Sequence, residues 1–201
     1  MTQEEARAWI DARYGAAAVD RVGRFLALVV EENEQQNLIA PSTVDDIWVR
    51  HAVDSAQLAP LGRSGRWVDI GSGGGFPGMV AALLIKEEVV LCEPRRRRAE
   101  FLQHCADALA LPNVRVAQGR VETLGEAAAT ISARAVASIE KLLHMAARCA
   151  TTSTRWLLPR GRLDEADLAN AQRSWSLMFH VEQSITDPNS SILILDEVRR
   201  R

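Results

Sequence analysis

The sequence predicts an α/β protein: a mostly parallel, seven-stranded, Rossmann-like sheet that closes with a C-terminal antiparallel hairpin and follows an N-terminal helical extension. Three observations carry this. From Trp67 onward, apolar runs alternate with helical patterns, as strand–helix–strand units do. A glycine-rich turn, Gly71-Ser72-Gly73-Gly74-Gly75-Phe76-Pro77-Gly78, follows the first run. The last two runs are separated by Asp187-Pro188-Asn189-Ser190-Ser191, turn chemistry that joins antiparallel neighbours. The expected division is residues 1–62 for the extension and 63–201 for the sheet domain.

In order, Thr2 to Tyr14 has helix-forming composition and stops at Gly15. A second helix carries Val22, Phe25, Leu26, Val29 and Val30 at helical spacing and turns polar towards Asn37. Ser42 and Thr43 before Asp45 and Asp46 suggest a cap that starts a third helix through Ile47, Trp48, His51 and Leu58. Strands are expected at Trp67–Ile70, Val89–Glu93, Val114–Gln118, Ile131–Ala135, Arg155–Leu158, Leu177–Gln183 and Ile192–Val198. The arginines at 199–201 read as a disordered tail.

With 201 residues the chain has room for one substantial core. Its net charge of −2 says little about partners, although the basic residues are nearly all arginine, a side chain suited to phosphate. Cys92, Cys105 and Cys149 lack zinc-site spacing and read as free thiols of a reducing compartment, with no metal implied. No apolar run approaches the ~20 residues that span a bilayer, so the expected location is the cytoplasm, with a monomer favoured.

The glycine turn sets the chemistry. Strand, turn and helix N-terminus offer free N–H groups to an anionic ligand end. A dinucleotide fingerprint counted from Gly71 fails at Phe76, but counted from Gly73 it passes through Gly75 and Gly78. An acid followed by G-x-G-x-G instead resembles the first motif of class I methyltransferases, whose turn wraps the methionine end of S-adenosylmethionine. On that reading a side chain at Gly73 should fill space the methionine end needs. Glu93, about 20 residues on, suits ribose hydroxyls in either cofactor class. Glu122, after the third strand, suits an adenine edge and favours S-adenosylmethionine.

Ile131-Ser132-Ala133-Arg134-Ala135 lacks the Asn/Asp-Pro-Pro-aromatic motif of exocyclic-amine methyltransferases. N7 of guanine has a free lone pair and no proton, so its methylation needs no general base. No catalytic acid–base residue is therefore nominated. Arg95–Arg98 form the densest basic cluster, read either as phosphate contacts or as a solvated face with Arg96 paired to Glu100.

Together with Asn37-Leu38-Ile39-Ala40, Arg50-His51-Ala52-Val53-Asp54-Ser55, Asp69 to Gly78, Arg134-Ala135 and Arg160-Gly161, these features resemble the RsmG (GidB) family of 16S ribosomal RNA guanine-N7 methyltransferases. The resemblance implies a class I methyltransferase fold, S-adenosylmethionine as cofactor, and one guanosine in the 530-loop region as substrate, on 16S ribosomal RNA or the small-subunit particle. It places cofactor contacts at Gly71, Phe76, Val121, Glu122 and Arg134, beside Gly73, Gly75 and Glu93. Candidate RNA contacts are Arg50, His51, Arg97, Arg98 and Arg160. The chain departs from the family pattern at Pro94 with its four following arginines, and at Arg160 where lysine is common. Rival readings are a small-molecule methyltransferase, a dinucleotide enzyme, and an RNA-binding module that holds S-adenosylmethionine without turnover.

Overall fold

The computed structural model describes residues 1–134, 136–162 and 164–201. Helix α1 (Gln3–Tyr14) is capped by Thr2, whose hydroxyl accepts the Glu5 N–H at 3.1 Å while Glu5 Oε2 accepts the Thr2 N–H at 2.7 Å. Gly15 breaks the chain into α2 (Ala16–Gln36), which buries Val22, Phe25, Leu26 and Val29 and ends at Asn37 in the left-handed region. Val30, expected on the same face, is 38% exposed.

The third helix differs from expectation. Ser42 and Thr43 do not cap it: they lie in a 3-10 turn, Pro41–Thr43, where the Thr43 hydroxyl donates to Ala40 O at 2.8 Å. The chain then winds as a π-helical turn, Trp48–Val53, into the short α3 (Asp54–Ala56). With the Thr43 hydroxyl used locally, it is Gln3 Oε1 that accepts the Trp48 N–H, at 3.1 Å, where the wider turn begins.

Seven strands form one sheet in the order β3-β2-β1-β4-β5-β7-β6. They are β1 (Trp67–Ile70), β2 (Val89–Glu93), β3 (Val114–Gln118), β4 (Thr130–Ala133), β5 (Arg155–Arg160), β6 (Trp175–Gln183) and β7 (Ser191–Arg200). The first five are parallel, whereas β7 pairs antiparallel with both β5 and β6. Helices α4 (Gly78–Leu84), α5 (Arg96–Ala108), α6 (Ile139–Met145) and α7 (Glu165–Ser174) link them.

Strand ends differ locally from the expected ones. β4 stops at Ala133, and Ala135, the expected end, lies outside the described residues. β5 runs through Pro159 to Arg160, since the last β4–β5 pair is Ser132 with Leu157 and Pro159 owes β4 no N–H. Arg199 and Arg200 are paired strand residues rather than a loose tail: β6 starts early, at Trp175, and supplies Ser176 and Trp175 opposite them.

Apolar residues cover both faces. On one, α1, α2 and the π turn share a core with α4 and α5, including Phe25, Trp48, Trp67 and Leu102. On the other, α6 and α7 pack over Val68, Ile131, Trp156 and Leu193. The strand order reverses at β1, where Ile70 is level with Cys92 on one side and Ala133 on the other. Loops leaving β1 and β4 diverge there and open a crevice at the carboxyl ends, where ligands of such sheets bind.

Candidate active site

The glycine turn occupies that crevice, and its glycines answer to different constraints. Gly71, Gly73 and Gly75 all have positive φ, +68°, +55° and +96°. A Cβ on Gly71 would lie 2.9 Å from Val136 Cγ2, and one on Gly75 would lie 2.7 Å from Phe25 Cζ of α2. At Gly73 a Cβ would meet only Arg98 Nη1 at 3.6 Å and Gly71 O at 3.7 Å, ordinary contacts. Gly73 is therefore required by its dihedral more than by crowding.

Beneath the turn, Asp69 is fully buried. The Ser132 hydroxyl donates to its Oδ1 at 2.6 Å and accepts the Trp67 indole N–H at 2.8 Å, tying β1 to β4. Burial pushes the Asp69 carboxyl up to about 6, against the stabilising bonds from Ser132 and its neighbours. Glu93 closes β2, with Oε2 accepting the Gly73 N–H at 2.9 Å and Oε1 the Arg95 N–H at 2.8 Å. It holds the turn in place, and each oxygen keeps a lone pair for a ligand.

A pocket of about 250 Å³ opens beside the turn, lined by Gly71, Cys92, Val121, Glu122, Val136 and Met145 among others. Its walls are largely apolar, and one polar group is conspicuous: Glu122 Oε2 is buried with no hydrogen-bond partner among the described residues. The Val121 and Glu122 N–H groups open a 3-10 turn, and neither donates to a backbone carbonyl among the described residues. An unpaired buried acceptor costs about 1–3 kcal/mol, so the site is built for a flat apolar group with donors on its edge. An adenine, presenting an exocyclic amine beside a ring acceptor, meets that description. The Cys92 thiol in the pocket wall is pushed up to about 12 by burial and is no nucleophile.

On the far side of the turn, Phe76 is enclosed by aromatic and cationic groups. The His51 ring lies 4.9 Å from it, Phe25 5.3 Å, and the Arg134 guanidinium 5.3 Å. Arg134 Nη2 donates to His51 Nδ1 at 3.1 Å, and Nη1 donates to Asp54 Oδ2 at 3.3 Å. Because Nδ1 accepts, Nε2 carries the proton and donates to Thr43 Oγ1 at 2.8 Å, whose own proton goes to Ala40 O. Burial, then Arg134, then Arg50 lower the His51 pKa to about 3, so the ring is neutral. Burial likewise lowers the pKa of Arg134, offset by Asp54.

Asp54 also accepts from Thr186 Oγ1 at 2.9 Å, and Arg50 pairs with Asp187 at 3.3 Å. These bonds pin the β6–β7 loop to the helical extension along one wall of a second, larger cleft of about 810 Å³. Arg134 stands between cleft and glycine turn, and Arg160 lines the opposite wall. The structure turns Arg160 inward: Nη1 donates to Ala137 O at 3.1 Å, while Nε and Nη2 are inaccessible. One donor of this candidate RNA contact is thereby committed to the loop after β4, while Nε and Nη2 have no hydrogen-bond partner among the described residues.

Arg97 and Arg98 sit together at the start of α5, outside the linings of both cavities but with Arg98 Nη1 beside Gly73; the Arg98 guanidinium donates to Asn37 O at 3.4 Å. Arg96 takes the solvated-face arrangement, paired with Glu100 at 2.7 Å. Sequence reasoning missed Thr43, Ser132, Asp167 and Thr186. The partners of the last three are remote in the chain; those of Thr43, Ala40 and His51, are near it, and its local Ser/Thr chemistry gave the one signal. Among the described residues no cluster of side chains could hold a metal ion, and no helix is long and apolar enough to cross a membrane.

The strand order with its terminal antiparallel hairpin, the glycine turn and the adjacent apolar pocket with its orphan carboxylate define a class I S-adenosylmethionine-dependent methyltransferase. A solved structure described as a SAM-dependent methyltransferase from Aquifex aeolicus matches with a TM-score of 0.59 at 13% identity, over 81% of this chain and 96% of that one, which speaks to the fold. The family model described as rRNA small subunit methyltransferase G, GidB, matches residues 19–192. A relative named ribosomal RNA small subunit methyltransferase G, from Novosphingobium aromaticivorans, is 47% identical over 96% of this chain and 88% of its own. Another of that name, from Rhizorhabdus wittichii, is 44% identical over 100% of this chain and 95% of its own. The chain belongs to the rRNA small subunit methyltransferase G family.

Proposed function

We propose that this protein moves a methyl group from S-adenosylmethionine to N7 of one guanosine in the 530-loop region of 16S ribosomal RNA. It acts as a cytoplasmic monomer on the RNA or the small-subunit particle. The observation that carries the reading is the buried Glu122 Oε2, without a hydrogen-bond partner among the described residues, in an apolar pocket beside the glycine turn. S-adenosylmethionine supplies an electrophilic methyl group on a sulfonium.

In this reading Gly71, Gly73, Gly75 and Phe76 shape the seat for its amino-acid end. Glu93 takes the ribose hydroxyls, and Val121 and Glu122 read the adenine edge. Arg134, clamped by His51 and Asp54, orients the groups that meet above Phe76. The nitrogen to be methylated brings its own lone pair, so the chain's task is alignment, worth about 7–11 kcal/mol in favourable systems. Positive charge moves from sulfur to the base, and the site adds little of its own there: His51 is neutral and Arg134 is balanced by Asp54. Arg50, Arg97 and Arg98 supply phosphate contacts outside the reacting centre.

The test is transfer of labelled methyl to small-subunit RNA from cells lacking the gene, followed by strand scission at N7-methylguanosine. Label at a single scissile guanosine is expected. Label on another atom, or on a small molecule only, overturns the substrate assignment.

A further inference from the structure

The main chain of residues 136–139, leading into α6, separates the two cavities. Val136 lines the smaller pocket, its Cγ2 set against Gly71, whereas Ala137, Ser138 and Ile139 line the cleft. Sheet pairing does not position this wall, because the last β1–β4 pair is Ile70 with Ala133. Two side chains from further along the sequence do. Both carboxylate oxygens of Asp167, on α7, face the Ile139 N–H at 3.2 and 3.1 Å, and Arg160, at the end of β5, donates to Ala137 O at 3.1 Å. Asp167 is not needed to cap its own helix, since the Asp164 carboxylate already accepts the Ala166 and Asp167 N–H groups. Burial lowers the pKa of Arg160, and the charge of Asp167 opposes that shift, so the two ties also support each other.

We propose that Asp167, with Arg160, is a positioning residue for the methyl transfer, holding residues 136–139 as the wall that sets the separation of cofactor and target base. This rests on the proposed methyltransferase reading. An in-line transfer is sensitive to spacing, and a misplacement of ~1 Å costs about 10²-fold in rate. Neither residue touches the reacting atoms. Both act through the main chain they hold.

The test compares Asp167→Ala with Asp167→Asn, whose amide oxygen still accepts the Ile139 N–H. Three quantities are read: S-adenosylhomocysteine affinity by calorimetry, amide exchange over 136–139, and kcat with KM for small-subunit RNA. Asp167→Ala is expected to lower kcat by about 10- to 100-fold with KM for RNA within about twofold. Its affinity for S-adenosylhomocysteine should fall several-fold, and its 136–139 amides should exchange faster. Asp167→Asn should return kcat and affinity to within a few-fold of the parent. The proposal is overturned if folded Asp167→Ala keeps parental kcat and affinity, if the asparagine variant is equally impaired, or if the loss falls in KM alone. If Asp167→Ala does not fold, Arg160→Gln must show the same kcat-without-KM pattern, and its failure to do so overturns the proposal. A parent protein that methylates nothing in the RNA defeats the functional reading, whereas an active parent with indifferent variants defeats only this one.

Discussion

Replacing Gly71 and Gly73 by alanine, one at a time, separates two roles that look alike in sequence. Both residues sit at positive φ, +68° and +55°, where an L side chain costs about 1–2 kcal/mol, so both variants should lose roughly that much stability. Only at Gly71 does the new methyl collide, 2.9 Å from Val136 Cγ2. Val136 is 37% exposed, so it gives way, and it forms one wall of the 250 Å³ pocket. Overpacking of this kind costs about 1–3 kcal/mol. If the ligand must pay that cost, affinity for adenosine, which lacks the amino-acid end, falls about 5- to 150-fold in Gly71→Ala and stays near parental in Gly73→Ala, whereas S-adenosylhomocysteine weakens in both. Calorimetric titration with thermal unfolding of each variant measures both quantities. Equal adenosine affinities in the two variants, or a greater loss at Gly73, would refute the assignment of Val136 to the pocket wall.

Three further outcomes follow. Glu122→Ala removes a half-buried carboxylate whose Oε2 has no partner among the described residues, and loss of a charged acceptor worth about 1.5–3 kcal/mol should weaken S-adenosylhomocysteine about 10- to 150-fold, with stability unchanged or improved. His51 has a folded-state pKa of about 3 against 6.5 when unfolded, so its contribution is complete above pH 6.5 and is lost as pH falls towards 3, by at most about 5 kcal/mol. Urea midpoints at about pH 5 and about pH 7.5 should therefore converge in His51→Gln relative to the parent, and an unchanged difference would contradict the neutral, buried ring. Arg97→Ala should reduce the slope of log affinity for RNA against log salt by about one, while leaving S-adenosylhomocysteine binding intact; an unaltered slope removes Arg97 from the RNA surface.

The parts of the fold legible in sequence are those written in local chemistry. Strands β1, β2 and β3 coincide with their apolar runs because period and composition agree there, and the turn between Asp187 and Ser191 announced the hairpin. The Gly71–Gly75 turn was readable because positive φ leaves few choices of residue. What escaped depended on competing uses of a side chain or on partners remote in the chain. Thr43 looks like a helix cap until His51 and Ala40 claim its hydroxyl. Arg160 looks like a surface cation until Ala137 O is seen to hold it, and Arg199 and Arg200 look loose until Trp175 and Ser176 lie opposite. In sequence, Glu122 stands out only by its place after β3. Its missing hydrogen-bond partner, the stronger argument, is visible only in three dimensions.

A crystal structure with S-adenosylhomocysteine tests the central claim most directly. The adenine should lie in the pocket between Val136 and Val121, its amine within hydrogen-bond distance of Glu122 Oε2, with the ribose at Glu93 and the amino-acid end over Gly71 and Gly73. A ligand seated instead in the cleft beside Arg160, or an empty pocket at saturating concentration, would contradict it.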